Sequence, residues 1–564
     1  MDLSQLPPIG ADGFYHPVTE EQIIALVQKA AAESLEIRCR GAAHSLARAI
    51  YTDPGQGDPP LPNEVSEQKP PKGPNLNIMF DQYSKLVWID KEKGIIEVEA
   101  GIHLGYDPED PTGTSTLENS LLYQAFEAGF TLSDLGGISH QTVSGFLMTG
   151  SSGGSLLYTI DENILELTMV DGTGVATRFT KEDKEFGAIV LSLGLLGIVS
   201  KVRLQLTPLF NIYGQQITYP TAPADCPIDL YGEGLPKKPS MEQYLQQTPY
   251  SRILWWPQEK VERVVIWEAS RGAAMPVFDP APYEEFADNN FVSNVEQLGA
   301  SMLFTMLGNS KFGVVWHKLK PSFQEFRHLT ELSWGGGWFA KFIAFIITLI
   351  LKGIGFFLTL FFMTFTGLLH KLYPVVVDIL QPLTKKGEAQ LFMDYTYSSL
   401  PMDNGANDVM MGTEFTEIWI PLSDTQRAMV LLDKLFKQDK FKATGYYSTE
   451  LYAGKKSSYW LSPAYERDVF RIDFFWFSNN EGNPASKEGF FSQFWEALKA
   501  ENIPFRLHWA KFLPEYDYAE WAEYLRLQYP RWDEFMELRT KRDPKNIFLT
   551  NYWSLHLFGK PKQA

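Results

Sequence analysis

A short strand, a turn of small residues and a histidine form the part of this sequence best suited to chemistry. Residues 35–45 read LEIRCRGAAHS, and apolar and charged side chains alternate up to Arg40, which predicts a strand with one buried face. The turn residues add little bulk, so their backbone amides can approach and bind a pyrophosphate. His44 is the unusual residue of this turn, and taken alone it could be a solvent-facing loop histidine. The small turn residues are Gly41, Ala42, Ala43 and Ser45.

A second loop, residues 135–155, is rich in glycine and hydroxyl side chains and reads LGGISHQTVSGFLMTGSSGGS. Backbone N–H groups and hydroxyls at this density can follow a phosphate-bearing ligand. The apolar run Phe146–Met148 argues against a solvated linker, which would be polar throughout. The candidate binding residues are Gly136, Gly137, Ser139, Ser144, Gly145, Thr149, Gly150, Ser152 and Gly153.

A hairpin and a third close backbone approach follow this loop. Residues 164–170 predict a strand, and the Asp171-Gly172-Thr173-Gly174 segment predicts its turn. Residues 193–199, LGLLGIV, predict another close approach before a strand at 201–206. The candidate binding residues there are Gly194, Gly197, Ile198 and Val199.

These motifs, in this order, resemble the FAD-binding half of the vanillyl-alcohol-oxidase-like (PCMH-type) flavoproteins. They most closely resemble the aldonolactone and alditol oxidase branch, whose members are similar to D-arabinono-1,4-lactone oxidase. In that branch the first-loop histidine carries FAD covalently, and His44 holds the matching position. Many members have glycine where this chain has Ala43, and we expect its methyl group to be tolerated. The resemblance therefore implies FAD bound covalently through His44.

The C-terminal half resembles the same branch. Residues 506–511, RLHWAK, resemble its HWxK signature, and residues 460–468 resemble the LSPAYxRD stretch of alditol oxidases. Residues 543–551, DPKNIFLTN, resemble the ending that returns the chain to the flavin domain.

The resemblance also implies where the catalytic residues lie. The Glu-x-Arg pair of the branch corresponds here to Glu450 and Tyr452, and the missing guanidinium weakens a sugar-lactone assignment. A polyol-binding strand corresponds to residues 471–476 and places Asp473 and Phe475 at the binding positions. Alcohol oxidation needs a proton acceptor and a cation near the developing charge. The predicted catalytic residues are Glu450, Asp473, Tyr452 and Lys511, and the predicted substrate-binding residues are Phe475 and His508.

Structural roles stay open for two of these residues. Glu450 could be a solvated strand residue, and Asp473 could form an ion pair with Arg471 or Lys511.

An apolar stretch at residues 338–369 contains only two charged residues, Lys341 and Lys352. It could cross a bilayer once, but the flanking segments must rejoin one soluble fold. The remaining explanations of this stretch are a helix that dips into one leaflet, a hydrophobic lid or oligomer interface, and burial within the substrate domain. Nine Lys/Arg against four Asp/Glu at 305–390, in a chain of net charge −18, favour a membrane surface. This and the loss of polar residues at Tyr452 and Phe475 favour an apolar or lipid-like alcohol substrate.

Composition sets the remaining expectations. The negative net charge argues against nucleic acid as a partner, and no Cys/His cluster at metal-ligand spacing predicts a metal. Two cysteines, Cys39 and Cys226, favour a reducing compartment, and the first residues lack a signal segment. We therefore expect an intracellular, peripheral (monotopic) membrane protein that is not secreted.

The sequence as a whole predicts an α+β flavoprotein. Its domains would be a PCMH-type FAD-binding domain at 1–210, a substrate (cap) domain at 211–540 with a hydrophobic insertion at 335–380, and a return to the FAD domain at 541–564. The expected activity is oxidation of a CH–OH group by hydride transfer to flavin N5, with oxygen as acceptor. A sugar-lactone oxidase, a flavin dehydrogenase or reductase, and a non-catalytic membrane-associated flavoprotein are the alternatives.

Overall fold

A computed structural model describes residues 5–55, 61, 69–275, 278–284, 286, 290–380, 388–482 and 485–562. The strands are β1 Ile37–Arg40, β2 Leu76–Met79, β3 Leu86–Asp90, β4 Ile95–Glu99, β5 Phe130–Thr131, β6 Ile164–Asp171, β7 Ala176–Thr180, β8 Gly197–Gln205, β9 Thr207–Pro208, β10 Phe210–Pro220, β11 Tyr250–Trp256, β12 Arg263–Ala273, β13 Ala389–Tyr395, β14 Thr413–Pro421, β15 Thr449–Gly454, β16 Val469–Phe477 and β17 Arg506–Leu507. The helices are α1 Glu20–Glu33, α2 Ala47–Ile50, α3 Leu121–Glu127, α4 Val143–Thr149, α5 Phe186–Val190, α6 Met241–Gln247, α7 Asn290–Leu307, α8 Phe312–Ser333, α9 Trp338–Thr364, α10 Thr366–Leu380, α11 Thr396–Ser399, α12 Thr425–Asp439, α13 Phe441–Thr444, α14 Lys487–Ala500, α15 Tyr518–Gln528, α16 Trp532–Arg542 and α17 Asn551–Phe558. The predicted α+β class is confirmed.

Two small sheets organise the N-terminal part. β1 and β2 pair in parallel, with Ile37 opposite Leu76. A five-stranded antiparallel sheet has the order β3-β4-β8-β6-β7. α1 packs against β6, and the side chain of Thr19 caps the helix by accepting a hydrogen bond from the backbone N–H of Gln22.

An eight-stranded sheet carries the predicted substrate-side residues, in the order β13-β10-β12-β11-β15-β16-β14-β17. Its register places Glu450 of β15 opposite Asp473 of β16, and Asp473 opposite Glu417 of β14. Tyr452 lies opposite Arg471 on the same pair of strands. Because direct partners in antiparallel strands project from one face, these polar side chains share a face of the sheet.

The predicted hydrophobic insertion at 335–380 folds as helices α9 and α10, and these pack with the preceding α7 and α8 into one group of helices, the helical insertion. The apolar stretch that the sequence presents as continuous is divided at Phe365, between α9 and α10. α9 packs along α8 and also contacts α7. Lys385 and Lys386, part of the charge argument above, lie outside the described residues.

The two faces of α9 differ in an unusual way. The face packed on the protein consists of small and hydroxyl residues, while most of its large apolar side chains point outward, with Trp338 80% and Phe357 69% exposed. The buried residues are Ala340, Ala344, Thr348, Gly355 and Thr359. In the described part of the chain, α9 is the one helix with the length and composition to cross a membrane.

The C-terminal segment returns to the N-terminal part. The backbone N–H of Ile37 donates to the carbonyl of Ile547 at 2.8 Å, and the indole N–H of Trp553 donates to the carbonyl of Ala49 at 3.0 Å. The Asp543 carboxylate accepts the N–H groups at residues 547–548, which fixes this turn. The predicted domain boundaries themselves stay predictions.

Candidate active site

The three glycine-containing segments meet at one cleft. Residues 37–45, 141–149 and 193–199 contribute to its walls, and Trp509, Phe548 and Trp553 complete it from the C-terminal half. The predicted cofactor-binding residues that line it are Gly41, Ala42, Ala43, His44, Ser45, Ser144, Gly145, Thr149, Gly194, Gly197, Ile198 and Val199.

The other predicted cofactor-binding residues lie beside this cleft. Gly150 and Ser152 line a second, smaller cavity. Gly153 packs against Asp134, where an added Cβ would lie 2.2 Å from Oδ1. A third part of the loop, which includes Gly136, Gly137 and Ser139, forms hydrogen bonds with residues 403–404 through Gly137 and Ser139.

The first loop is built for close backbone packing. A Cβ on Gly41 would lie 2.0 Å from Oγ1 of Thr142, so only glycine fits there. Ala43 has φ 63°, in the left-handed region. That conformation costs a residue with a Cβ about 1–2 kcal/mol, which explains why glycine suits this position. The chain accommodates the methyl group of Ala43 with backbone strain rather than by a change of conformation.

His44 lies in a polar corner of the cleft, beside His140. Burial and the nearby His140 lower the pKa of His44 to about 3, so its imidazole is neutral. Within the described residues, its Nε2 is buried and has no hydrogen-bond partner. The rings of His44 and His140 are 5.7 Å apart. A neutral imidazole with an unused nitrogen fits the predicted attachment to FAD.

One acidic residue completes this corner. Ligand atoms of His44, His140 and Asp408 lie within 4.8 Å of one another, a spacing that a metal ion could use. The absence of a metal therefore stays a prediction.

The carboxylates of the eight-stranded sheet form a hydrogen-bonded row with Arg471. Arg471 binds Glu417 through Nε at 2.9 Å and Nη2 at 2.5 Å, and donates to the hydroxyl of Tyr452 at 3.1 Å. That hydroxyl donates to Oδ2 of Asp473 at 2.5 Å. Nη1 of Arg471 also binds the carbonyls of Ser152 and Gly153, at 2.9 Å each. The sheet is thus tied directly to the second glycine-rich loop.

Burial and neighbouring charges shift the pKa values of these carboxylates in different directions. Burial, reinforced by the negative charge of Asp403, raises the pKa of Glu450 well above its usual range. Burial and Glu417 likewise raise the pKa of Asp473. Burial alone would raise the pKa of Glu417, but the charge of Arg471 lowers it. The row therefore contains one ionised acid and two acids disposed to hold protons.

Lys511 joins the sheet to the first loop. Its Nζ lies 3.5 Å from the carbonyl oxygen of His44 and 4.2 Å from the ring centre of Phe415. Burial lowers the pKa of Lys511, against the raising effect of Glu417 and Asp473.

The predicted substrate-binding residues occupy different surroundings. The half-buried ring of Phe475 packs against Phe415 at 4.9 Å and Tyr447 at 5.9 Å, which creates an aromatic wall beside Asp473. His508 is buried against Trp419, and its Nδ1 accepts the N–H of Ala510 at 3.2 Å. Burial lowers the pKa of His508 to about 4.

Sequence reasoning missed a guanidinium next to Glu450. Arg252 of β11 is buried, its Nε lies 3.6 Å from the Glu450 carboxylate, and its Nη1 forms an ion pair with Asp403. A lone arginine inside the apolar strand YSRILWW is the signal that could have found it. Arg252 and Arg471 together bring positive charge to the position where the Glu-x-Arg arginine is missing. The loss of that arginine therefore no longer argues against a polar substrate.

Comparisons with known proteins identify relatives of this chain. Residues 359–556 match the family model described as D-arabinono-1,4-lactone oxidase. The chain is 26% identical to D-arabinono-1,4-lactone oxidase of Eremothecium gossypii over 36% of its length, and spans about a third (33%) of that relative. It is 21% identical to L-gulonolactone oxidase of Scyliorhinus torazame over 96% of this chain and 93% of that protein.

The structural comparison gives the fold. A histidine-to-alanine variant of cholesterol oxidase from Brevibacterium sterolicum superposes with a TM-score of 0.60 at 13% identity, covering 97% of this chain and 94% of that one. The structure thus has the bipartite flavoprotein fold that the motifs predicted. The comparisons confirm the resemblance: this chain has the fold of the vanillyl-alcohol-oxidase-like FAD flavoproteins, and aldonolactone oxidases are among its sequence relatives.

Proposed function

We propose that this protein is an FAD-dependent oxidase that removes a hydride from a CH–OH group, with oxygen as the electron acceptor. The observation that carries the proposal is the approach of Lys511 Nζ to the His44 carbonyl. Through this contact, the buried carboxylates near Lys511 lie beside the cleft. Glycine-rich segments line that cleft on several sides. Bound FAD would supply the hydride acceptor at flavin N5.

The residues near the contact between Lys511 and His44 have separate roles in the proposed reaction. Glu450 accepts the hydroxyl proton once it is ionised; Arg252 favours that ionised form, while burial and Asp403 delay it to higher pH. Lys511 places positive charge near the developing oxyanion. The hydroxyl of Tyr452 holds the Asp473 carboxylate in position. Buried aromatic side chains exclude water from this junction and strengthen each electrostatic interaction.

The cleft fits FAD, and His44 is its proposed covalent attachment site. Support comes from the buried, unused Nε2 of His44 and from the lowered pKa of its imidazole. Gly41 and Gly194 lie in the walls at points where a side chain would meet Thr142 or Arg38.

An aldonolactone is the substrate class that the observations support best. The relatives named above are aldonolactone oxidases. The carboxylates of the row and the nearby Lys511 ammonium can accept from and donate to the hydroxyls of a polyhydroxylated ring. This favours the sugar-lactone alternative over the apolar alcohol that the sequence suggested first.

An apolar or lipid-like alcohol remains a second candidate because of the aromatic wall. Phe475 and Tyr447 continue into Phe304 of α7, with Tyr447 and Phe304 rings 5.1 Å apart. The wall thereby leads from Asp473 toward the helical insertion.

Residues 338–369 would provide peripheral, monotopic contact with an intracellular membrane. A helix that buries small residues and exposes large apolar ones suits an apolar surrounding on its outer face. Its neighbour α8 carries Lys318, Glu325 and Arg327, which opposes immersion of the whole insertion.

The first test is acid precipitation of the purified protein, with flavin fluorescence read on a denaturing gel. We expect a yellow, fluorescent pellet in wild type and in the surface control His317→Ala, but not in His44→Ala. Flavin in the supernatant would contradict covalent attachment, and protein without flavin would overturn the proposal. Anaerobic mixing with aldonolactones and long-chain alcohols then tests turnover. If neither class reduces the flavin, a non-catalytic flavoprotein is favoured.

A further inference from the structure

A short loop segment, residues 403–408, lies between the glycine-rich loop and the helical insertion. We call it the 403–408 strap. The backbone N–H of Asp403 donates to the carbonyl of Gly137 at 2.8 Å. The backbone N–H of Ser139 donates to Oδ1 of Asn404 at 3.0 Å, and Nδ2 of Asn404 donates to the Ser139 hydroxyl at 2.9 Å. A Cβ on Gly137 would lie 2.5 Å from the Asp403 carboxylate, so the two segments are in close contact.

The other end of the strap is anchored on the insertion. The backbone N–H of Asn407 donates to Oε1 of the buried Gln297 in α7 at 2.8 Å. Nε2 of Gln297 returns a bond to the carbonyl of Gly405 at 3.2 Å. Nδ2 of Asn407 donates to Glu325 of α8 at 3.2 Å. These bonds fix the strap to α7 and α8.

Asp403 connects the strap to the proposed base through one shared partner. The guanidinium of Arg252 forms an ion pair with Asp403 through Nη1 and faces Glu450 through Nε. Its Nη2 also donates to the hydroxyl of Tyr283 at 3.1 Å. The charged groups that act on Glu450 are Arg252 on β11, Asp403 on the strap, and Arg471 and Asp473 on β16.

We propose that the 403–408 strap is a positioning element by which the helical insertion holds the glycine-rich loop and sets the protonation of Glu450. The inference rests on the proposed function, in which Glu450 is the base. Asp403 draws the Arg252 guanidinium toward itself and adds a negative charge near Glu450. Both effects disfavour ionised Glu450, so the strap keeps this acid protonated until higher pH.

The test compares the pH dependence of flavin reduction among strap variants. Asp403→Asn removes the competing charge, and Gln297→Ala removes both bonds that hold the strap on α7, at a residue outside the site. We expect the acidic limb of the profile to move to lower pH in both variants. Asp403→Glu, which keeps the charge, should restore the profile toward that of wild type.

A matched control removes another hydrogen bond between the insertion and the body. The side chain of Asn479 donates to Thr305 of α7 at 3.3 Å, away from the strap. Asn479→Ala should leave the limb in place. A second readout is independent of activity: amide hydrogen exchange at Ser139 should become faster in Gln297→Ala and stay unchanged in Asn479→Ala.

The outcomes separate this inference from the proposed function. If Glu450→Gln keeps the acidic limb of the pH profile of flavin reduction, both the assignment of the base and this inference are overturned. A limb that is lost in Glu450→Gln but unmoved in Asp403→Asn would overturn the role of the strap alone. Unchanged exchange at Ser139 in Gln297→Ala would contradict the anchoring of the loop.

Discussion

The hydroxyl of Tyr452 donates a 2.5 Å hydrogen bond to Oδ2 of Asp473, on the diagonal between β15 and β16. Arg471, the direct partner of Tyr452, donates to the same hydroxyl at 3.1 Å. Because Arg471 polarises this hydroxyl, the hydroxyl is a stronger hydrogen-bond donor to the Asp473 carboxylate. Although Tyr452 stands where the resemblance implied an arginine, it belongs to the polar row rather than to an apolar pocket.

Tyr452→Phe should raise the pKa of Asp473 further, because the lost hydrogen bond favours the ionised carboxylate. The free energy of unfolding should fall by about 1–3 kcal/mol, since two buried polar groups lose a partner. Chemical denaturation and the pH profile of flavin reduction measure these effects. Tyr459→Phe, which removes a longer bond of 3.3 Å to the Asp161 carbonyl, serves as the control. An unchanged stability would contradict the strength assigned to the Tyr452 bond.

Lys511→Met should slow flavin reduction by about 10²–10³-fold, the range found when one group that stabilises an oxyanion is lost. Stopped-flow absorbance under anaerobic conditions measures the rate, with the bound flavin expected to remain. Lys487→Met is a suitable control, because Lys487 is half-buried and pairs with Glu414 at 2.6 Å, outside the site. Equal rates in Lys511→Met and wild type would remove Lys511 from the mechanism.

Acid should destabilise the protein partly through its buried histidines. Burial lowers the pKa of His556 from 6.5 to about 3, so the unfolded chain takes up a proton in this pH range before the folded one does. The stability that neutral His556 contributes is therefore lost as pH falls from about 6.5 toward 3, by about 1.4 kcal/mol per pH unit. His556→Phe should reduce the pH slope of the free energy of unfolding by this amount. A slope equal to that of wild type would show that His556 is protonated in the folded state.

Vesicle binding should depend on the outer face of α9. Leu349 and Ile350 are 55% and 57% exposed, and changing both to Asp should weaken binding to anionic vesicles at least about tenfold. Flotation measures binding, and Leu527→Asp on α15, at a residue 69% exposed, is the control. If the double variant instead converts an oligomer to a monomer and wild type does not bind vesicles, the face is a self-association surface.

Phe475→Ser separates the two candidate substrate classes. Removing this ring from the aromatic wall should lower kcat/KM for a long-chain alcohol by roughly tenfold or more, since a buried apolar side chain contributes about 1.5–3 kcal/mol. Turnover of an aldonolactone should change little. Phe558→Ser, at a ring on α17 that is 38% exposed and does not belong to the wall, tests for general damage. A larger loss with the lactone than with the alcohol would place the sugar ring against this wall.

Local signals in the sequence predicted much of the fold and of the cleft. Glycines at 41, 194 and 197 line one cleft, and the strand predicted from the alternation at 35–40 is β1. These features depend on turn chemistry and on a two-residue alternation, both of which are readable over a few residues. The family motifs then supplied the order in which the segments combine.

The partners of the catalytic candidates could not be predicted in the same way. Arg252 and Glu450 are adjacent because β11 and β15 pair in one particular register, with Leu254 opposite Glu450. A shift of one residue would turn Glu450 to the other face of the sheet. Asp403 and Asp408 lie on a loop with no periodic pattern. Their roles appear only when distant strands and helices are packed together.

The closure of the cleft sets an order of events during synthesis. Its first walls are translated early, but Trp509, Phe548 and Trp553 are added more than four hundred residues later. The bond between Ile37 and Ile547 can form only then. Such distant contacts make folding slow and leave the early walls without their partners on the ribosome. If the cleft holds flavin as proposed, we expect the cofactor to enter after translation, and a chain that stops before residue 547 should fail to retain it.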